Sequence, residues 1–407
     1  MATDVQRAPG GAPRDPKVLF VISGSYGDLS AAITFVYGQQ WAGAAAVALP
    51  NSLYRLNHGH LTVQTYRYET VQDILSAARV WEARVVIFLS AYGFPIERLT
   101  SPSGVRDLVL RLRDQGRCVA TTDPFLGSAP SIVAADIREM LPSGPGWLFK
   151  PLLGRVARRV ARVLHETSEV LRDVTHLYPV PVDGIVDNAP IRSVSFFNPE
   201  TTRRHREWEP PAGHGEAPGL APPTWLFVLA PSDLFIQQRR GGTRRFVGRL
   251  VNMFRQTHEA GRRPVIVGPP SLLKLLARPR ARPSEAELVP FSSYPAFETR
   301  LLDAEYAFYW NAFSCSATLV RMVKKLPVFF FDQGHVARFS RRIFEDGVQG
   351  YFGGWQPSTL PEEHLEPAAL EALAAAQTGK VEELIRYWSR SPDPRQAVDL
   401  LLGTVPG

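Results

Sequence analysis

The sequence predicts an α/β protein built from two Rossmann-like, doubly wound domains that face each other across a cleft. Three observations carry that expectation. Apolar runs of strand length, Val85–Leu89 and Val328–Phe331 among them, alternate with helical stretches of about 10 to 15 residues, the pattern of a parallel sheet covered on both faces. A stretch at 199–224 with Pro199, Pro210, Pro211, Pro218, Pro222 and Pro223 interrupts the alternation, which then restarts. A length of 407 residues also exceeds one ordinary hydrophobic core, so two domains are expected.

In the first half, residues 17–23 read as a buried parallel strand and 28–40 as the helix that follows it. Residues 44–49 give a second strand. Residues 63–68 alternate and give a third, with a helix over 70–81. Residues 85–89 are a strong strand, 105–115 a helix, and 118–122 a further strand ending in Asp123-Pro124. A longer helix covers 154–173, with Val156, Val160, Val163, Leu164, Val170 and Leu171 as its apolar stripe and Arg155, Arg158, Arg159 and Arg162 mostly off it. That basic face is either a solvated surface or a candidate for peripheral contact with an acidic membrane surface. Beyond 199–224 come a strand at 225–230, a helix at 243–260, a strand at 265–267 and a helix at 271–277. Residues 289–333 then read as strand, helix, strand, loop, helix, strand. The tail is helical at 367–376 and 381–389, where Val381, Leu384, Ile385 and Trp388 share a face. The expected layout is a disordered lead (1–16), a first Rossmann-like domain (17–198), a linker (199–224), a second Rossmann-like domain (225–365) and C-terminal helices (366–407).

Composition narrows the class. Hydrophobic residues at 45% and charged residues at 21% are globular values. The longest apolar runs fall far short of a membrane span, and no basic segment followed by an apolar one opens the chain. The two cysteines, Cys118 and Cys315, lie in different halves, which argues against a disulfide framework. A soluble cytoplasmic protein is expected. The net charge of +7 comes without an aromatic-interleaved basic motif, zinc-ligand spacing or a recognition helix, so no nucleic-acid partner is expected. Attraction to phosphate-bearing small molecules or an acidic membrane surface explains the charge equally well. No Asp-x-Asp pair stands at a strand end, so no metal is expected either.

Three segments could carry chemistry. The first strand ends in Ser23-Gly-Ser-Tyr-Gly-Asp-Leu-Ser30, where two glycines allow a tight turn and Asp28 stands at the helix start, able to cap exposed N–H groups. The Gly24-x-x-Gly27 spacing lacks the third glycine of a dinucleotide fingerprint. Late in the chain, Asn311-Ala-Phe-Ser-Cys-Ser-Ala-Thr318 is a small, hydroxyl-rich turn between a strand and a helix, where unpaired N–H groups and the helix dipole favour anions. The run Arg239-Arg-Gly-Gly-Thr-Arg-Arg245 follows the second domain's first strand and opens its helix. Facing the cleft, it would neutralise a phosphate-bearing ligand; facing water, it is a solvated loop. Cys315 stands where a thiol pKa can fall, but no partner is specified and small-core packing is the simpler role. Tyr92, Thr122, Asp123 and Phe125, at strand ends of the first domain, are expected to line the cleft.

The turn Gly24-Ser-Tyr-Gly-Asp28 resembles the Gly-Ser-Arg-Gly-Asp turn of bacterial natural-product glycosyltransferases with the GT-B fold, which use UDP- or dTDP-sugars. The later series Val289-Pro, Tyr294, Leu301-Leu-Asp303, Ser316-Ala-Thr-Leu319, Leu326-Pro-Val328 and Asp346-Gly347 is similar to their donor-binding half. The resemblance spans nearly the whole chain in layout and the late stretch in motif detail. It implies an inverting transfer of a sugar from a nucleotide-diphosphate donor, a co-substrate rather than a cofactor, to a small-molecule or peptide acceptor in a biosynthetic pathway. Asp28 matches the general base. Ser25, in the turn with Gly24 and Gly27, matches a position near the donor phosphates, and Tyr26 falls on the acceptor side. Ser314, Ser316, Ala317 and Thr318 match the diphosphate loop, Arg240 belongs to the basic run, and Asp332-Gln333 resembles a sugar-contacting Asp-Gln pair, with His335 just beyond. The family's loop carries His-Gly-Gly-x-Gly-Thr. Here the histidine becomes Ala312 and the glycines Phe313, Ser314 and Ser316, with Asn311 as substitute donor if the register slips by one. These departures keep two alternatives open: a catalytically degenerate GT-B accessory or binding protein, and a GT-B enzyme with an unusual donor, such as a pseudo-glycosyltransferase or a sugar-nucleotide epimerase.

Overall fold

The computed structural model of the chain describes residues 16–37, 43–123, 127–140, 150–178, 180–181, 194–195, 222–277, 286–332, 341–390 and 394–403. The lead expected over 1–16 and the linker expected over 199–224 lie almost wholly outside them. Strands β1 (Val18–Ile22), β2 (Ala45–Pro50), β3 (Gln64–Tyr68), β4 (Val85–Leu89), β5 (Cys118–Thr122), β6 (Thr175–Tyr178) and β7 (Val194–Ser195) form a seven-stranded sheet in the order β3-β2-β1-β4-β5-β6-β7. Strands β8 (Thr224–Val228), β9 (Arg263–Gly268), β10 (Glu287–Pro290), β11 (Tyr306–Tyr309), β12 (Val328–Phe331) and β13 (Thr359–Leu360) form a six-stranded sheet in the order β10-β9-β8-β11-β12-β13. Every pairing is parallel.

In both sheets the order reverses at the first strand. The switch points therefore lie between β1 and β4 and between β8 and β11, and ligands of such sheets bind past the strand C-termini at these points. The 24–28 turn leaves β1, and the 311–318 loop leaves β11, so each sits at a switch point. All five residues of β1 and of β4 are buried, which explains their unbroken apolar runs. One hydrophobic core covers the outer face of the first sheet, through Leu19, Val86 and Leu108, and another that of the second, through Trp225, Phe308 and Leu250. A third is continuous between the domains, from Phe20 and Leu29 to Leu319, Tyr351 and Trp388.

Local chemistry sets the helix boundaries. Thr70 and Asp73 form a reciprocal capping box at the start of the helix Val71–Val80, and Ser101 caps Pro102–Asp114 by accepting from the Gly104 N–H. In Lys150–Leu171 the four arginines at 155, 158, 159 and 162 are exposed as expected, but so is Val156. The buried stripe runs one residue later, through Ala157, Ala161, Leu164 and Leu171. Alternating steps of four and three keep those residues on one face and turn Val156 off it. No helix among the described residues is long and apolar enough to cross a membrane. The tail is one helix, Pro367–Trp388, rather than two. A last helix, Pro394–Leu402, returns to pack on β4, β5 and β7 of the first sheet.

His176 of β6 is buried in the first domain. Its Nδ1 faces the Val174 carbonyl at 2.8 Å and its Nε2 the Tyr92 hydroxyl at 2.9 Å. The carbonyl requires Nδ1 to carry the proton, so Nε2 accepts from Tyr92 and the ring is neutral. Burial pulls its pKa down to about 4, partly offset by the Val174 bond. A base with a depressed folded pKa contributes stability above its unfolded value, and that contribution is lost as pH falls from about 6.5 towards 4. Thermal unfolding is expected to lose on the order of 3 kcal/mol across this window in the wild type. His176→Phe, which has no proton to take up, should lose much less. Equal acid sensitivity in both proteins would show that the stability loss comes from elsewhere.

Candidate active site

The helix Tyr26–Tyr37 begins within the 24–28 turn, which supplies its first three residues. Its cap is Ser25, not Asp28: Ser25 Oγ accepts the Asp28 N–H at 3.0 Å. The Asp28 carboxylate is thereby released from the capping role read from sequence, and it accepts the Ser23 hydroxyl at 2.6 Å. Burial pushes the Asp28 pKa up to about 6, against the lowering effect of the Ser23 and Ser25 bonds. At neutral pH Asp28 is a carboxylate more basic than one free in water. The β1 and β4 lips of the crevice interlock. A Cβ on Gly24 would stand 2.8 Å from Glu97 Oε2, and one on Gly93 would stand 3.0 Å from Ser23 Cβ. Tyr68 donates to the Ile22 carbonyl beneath this turn.

Across the domains, the 311–318 loop meets this turn. A Cβ on Gly27 would be in van der Waals contact with Cys315 Cβ, at 4.0 Å. Burial, with the Asp28 charge as second cause, pushes the Cys315 thiol up to about 12, so it is a protonated packing group and not a nucleophile. The expected regular helix after the loop is instead a π-helical turn, Ser316–Arg321, followed by a 3-10 turn, Met322–Lys324. Such wide turns recur at functional sites. The loop is largely self-satisfied. Asn311 Oδ1 accepts the Phe313 N–H at 2.9 Å, Ser314 O accepts from the Ala317 and Thr318 N–H groups, and Ser316 Oγ lies 3.0 Å from Ser314 Oγ and 3.2 Å from the Tyr309 hydroxyl. Ser316, Ala317 and Thr318 are buried. The anion site expected at this turn is thus narrower than an open helix N-terminus, because its hydroxyls and N–H groups bond within the loop. Phe313, expected to crowd the backbone, turns away and stacks on Tyr351 at 5.3 Å, its ring filling the space over Gly347.

Contacts on both sides hold the domains at this meeting point. Tyr26, expected on the acceptor side, bridges the domains: its hydroxyl donates to the Ser292 carbonyl and its ring stacks on Phe291 at 4.9 Å. Asn57 Oδ1 accepts the Tyr294 N–H at 2.6 Å. On the other side Ser128 donates to Asp346 at 2.8 Å, and Arg342 pairs with Asp136 at 2.8 Å.

The remaining expected site residues scatter. Tyr92 is in the core, bonded to His176, and does not line the cleft. Thr122 is buried and uses its hydroxyl to accept the Ser90 N–H at 2.8 Å, bracing the β4 turn. Asp123 is buried and accepts the Gly127 N–H at 2.7 Å; burial raises the Tyr351 pKa, and Cys315, Asp28 and Asp123 add to the rise. Asp332 stands at the end of β12, its N–H bonded to the Leu360 carbonyl at 3.0 Å, while Phe125, Gln333 and His335 lie outside the described residues. The basic run is not one loop. Arg239 and Arg240 end the helix Pro231–Gly241, Gly242 breaks the chain at φ +76°, and Arg244 and Arg245 start Thr243–Glu259. A cavity of about 620 Å³ opens there, lined by Arg244, Arg245, Arg249 and Glu362 among others, and no residue of the Asp28 turn or the 311–318 loop lines it. Its link to the loop is Glu362, which accepts from Trp310 Nε1 beside Asn311 and pairs with Arg249.

Sequence reasoning missed Ser23, Glu97, Phe291 and Tyr351. Glu97 follows a glycine turn after a strand and has no motif around it, and the aromatic residues read as ordinary core. Among the described residues no group of three or more His, Cys, Asp or Glu side chains could hold a metal ion.

No protein-family model matches the sequence, and no curated protein matches it significantly. Solved structures do match. UGT2 of Phytolacca americana, complexed with UDP-2-fluoro-glucose and pterostilbene, has a TM-score of 0.52 at 13% identity, covering 96% of this chain and 99% of the other. The glycotransferase of kitacinnamycin has a TM-score of 0.52 at 13% identity, covering 97% and 100%. A Polygonum tinctorium UDP-glucosyltransferase capable of glucosylating indoxyl, in complex with 3,4-dichloroaniline, has a TM-score of 0.51 at 12% identity, covering 97% and 100%. At these identities the likeness is one of fold.

Proposed function

We propose, from a GT-B fold with a basic carboxylate at its domain junction, that this chain is a glycosyltransferase moving a sugar from a nucleoside-diphosphate donor to a hydroxyl of a small-molecule acceptor. The observation that carries the reading is the meeting of the 24–28 turn with the 311–318 loop, which sets Asp28 beside Cys315 of the opposite domain. The two segments are far apart in sequence, and each resembles its counterpart in the same family. The structural neighbours crystallised with a UDP-sugar or with small aromatic molecules support the same substrate classes.

In this reading Asp28 accepts the acceptor's hydroxyl proton. The freed electron pair forms the bond to the anomeric carbon, while the carbon–oxygen bond to phosphate breaks and the nucleoside diphosphate leaves with the electron pair of that broken bond. A carboxylate is a weak base for an alcohol, but the hydroxyl acidifies as the bond forms, so a raised pKa is well matched to the task. Ser23 holds the carboxylate in place, Ser25 and the loop hydroxyl of Ser314 face the donor phosphates, and Asp332 contacts the sugar. Attack from the face opposite the leaving group inverts the anomeric centre. The setting would be a cytoplasmic biosynthetic pathway.

One observation favours a second reading, an accessory GT-B protein without transfer: the 311–318 loop bonds to itself where a phosphate would need free donors. Calorimetric titration with uridine and deoxythymidine diphosphates separates the two. Binding supports the transferase, and no binding of either supports the accessory protein.

A further inference from the structure

The 311–318 loop contains no glycine, and its hydrogen bonds close largely within it. A segment bonded in this way moves as a unit, so its packing decides where it stands. Phe313 makes that packing. The helix Arg341–Phe352 presents Phe344, Gly347 and Tyr351, spaced three and four apart and so on one face. The Phe313 ring stacks on Phe344 at 5.8 Å and on Tyr351 at 5.3 Å, and it fills the gap over Gly347 between them. A Cβ at Gly347 would fall inside the van der Waals envelope of that ring, so the notch exists only because residue 347 has no side chain.

The same helix is anchored on the first domain by its preceding turn. Ile343 is buried in that domain's outer core. Asp346 accepts from Ser128 at 2.8 Å, and Arg342 donates to the Ser131 hydroxyl at 2.7 Å and to Asp136 at 2.8 Å. Its C-terminal end is tied to the tail, where Trp388 Nε1 donates to the Tyr351 carbonyl at 2.7 Å. A helix fixed at both ends thus carries the notch that receives Phe313. Two residues on, Cys315 meets Gly27 of the 24–28 turn.

We propose that Phe313 is a positioning residue: seated in the Gly347 notch, it sets the 311–318 loop against the 24–28 turn and ties the loop's position to the first-domain anchors of the helix Arg341–Phe352. What the loop then holds, a donor diphosphate, rests on the transferase reading; the mechanical coupling does not. When the helix loses its hold on Ser128, Ser131 and Asp136, the notch withdraws, Phe313 follows it, and the loop leaves Gly27. Ser314, next to Phe313, is carried along. The phosphate-facing hydroxyl and Asp28 therefore keep a fixed separation only while the ring is seated.

Cys315 reports the loop's position without any nucleotide. In the full chain carrying Cys118→Ser it is the one remaining thiol, and its rate of alkylation by iodoacetamide measures how often the loop leaves the turn. Gly347→Ala, which expels the ring, and Phe313→Ala, which removes it, should each raise that rate about tenfold. The double variant should react no faster than Phe313→Ala, because the added methyl then meets no ring; additive rises overturn the proposal. Arg342→Ala, at the first-domain end of the helix, should raise the rate about threefold. Leu250→Ala, in the buried outer core of the second sheet, should leave it unchanged. An equal rise there means that general loss of stability is being read, and it overturns the proposal, as does an unchanged rate in Phe313→Ala or Arg342→Ala. Where Gly347→Ala does not fold, those two variants decide alone. In a protein that binds UDP or dTDP, Phe313→Ala should weaken that binding about tenfold by calorimetry, and unchanged affinity overturns the positioning role. Faster alkylation in a protein that binds neither nucleotide upholds the coupling and removes the transferase reading alone.

Discussion

Asp28→Asn should lower turnover by about 10²- to 10⁴-fold while leaving nucleoside-diphosphate affinity unchanged. The amide keeps the volume of the carboxylate, and its oxygen still accepts from Ser23, which now makes its 2.6 Å bond to a carboxylate oxygen. Only the capacity to take a proton is lost. Because the folded pKa of Asp28 is raised to about 6, ionised base is present above that pH and disappears below it, so wild-type activity should fall as pH drops through about 6. Turnover of Asp28→Asn within a few-fold of wild type would remove Asp28 from the chemistry.

The largest expected effect on stability is at Arg321. Its guanidinium is fully buried and donates to four carbonyls: Leu301 and Ala304 from Nη1, at 2.5 and 2.7 Å, and Glu305 and Pro327 from Nη2, at 3.1 and 2.7 Å. These carbonyls close the helix Tyr294–Asp303, the entry to β11 and the entry to β12, so one side chain fastens the frame around the 311–318 loop. Burial lowers the Arg321 pKa to about 10, which still leaves it charged at neutral pH. Arg321→Met keeps most of the volume but strands several buried acceptors and should cost about 3 to 5 kcal/mol in urea unfolding of the second domain. Arg321→Lys, with one ammonium in place of a fork, should recover little. A loss under about 1 kcal/mol for the methionine variant would mean the carbonyls find other donors.

Much of the fold was legible because parallel strands buried on both faces leave continuous apolar runs. Val18–Ile22, Val85–Leu89 and Val328–Phe331 stand within a residue of where those runs place them. Strands β7 and β13 have two residues each and β6 is half polar, so periodicity had nothing to detect. The helix Pro231–Gly241 was hidden by reading its arginines as loop, since charge does not report backbone conformation. The site was legible as two turns but not as a meeting. Resemblance pointed to Asp28 and the 311–318 loop, yet nothing in sequence says that Gly27 lies against Cys315, that Glu97 lies over Gly24, or that Tyr92 points into the core. Those are facts of packing between segments far apart in the chain. The loop misled most, because hydroxyls that look ready for phosphate bond first to one another.

The central claim is that the two turns together hold a nucleoside-diphosphate sugar. Calorimetric titration of UDP and dTDP into the full chain tests it most directly. The predicted result is saturable binding of at least one of them in the range of about 1 μM to 1 mM, retained in Asp28→Asn. The contradicting result is no heat of binding for either nucleotide across that range in a folded protein.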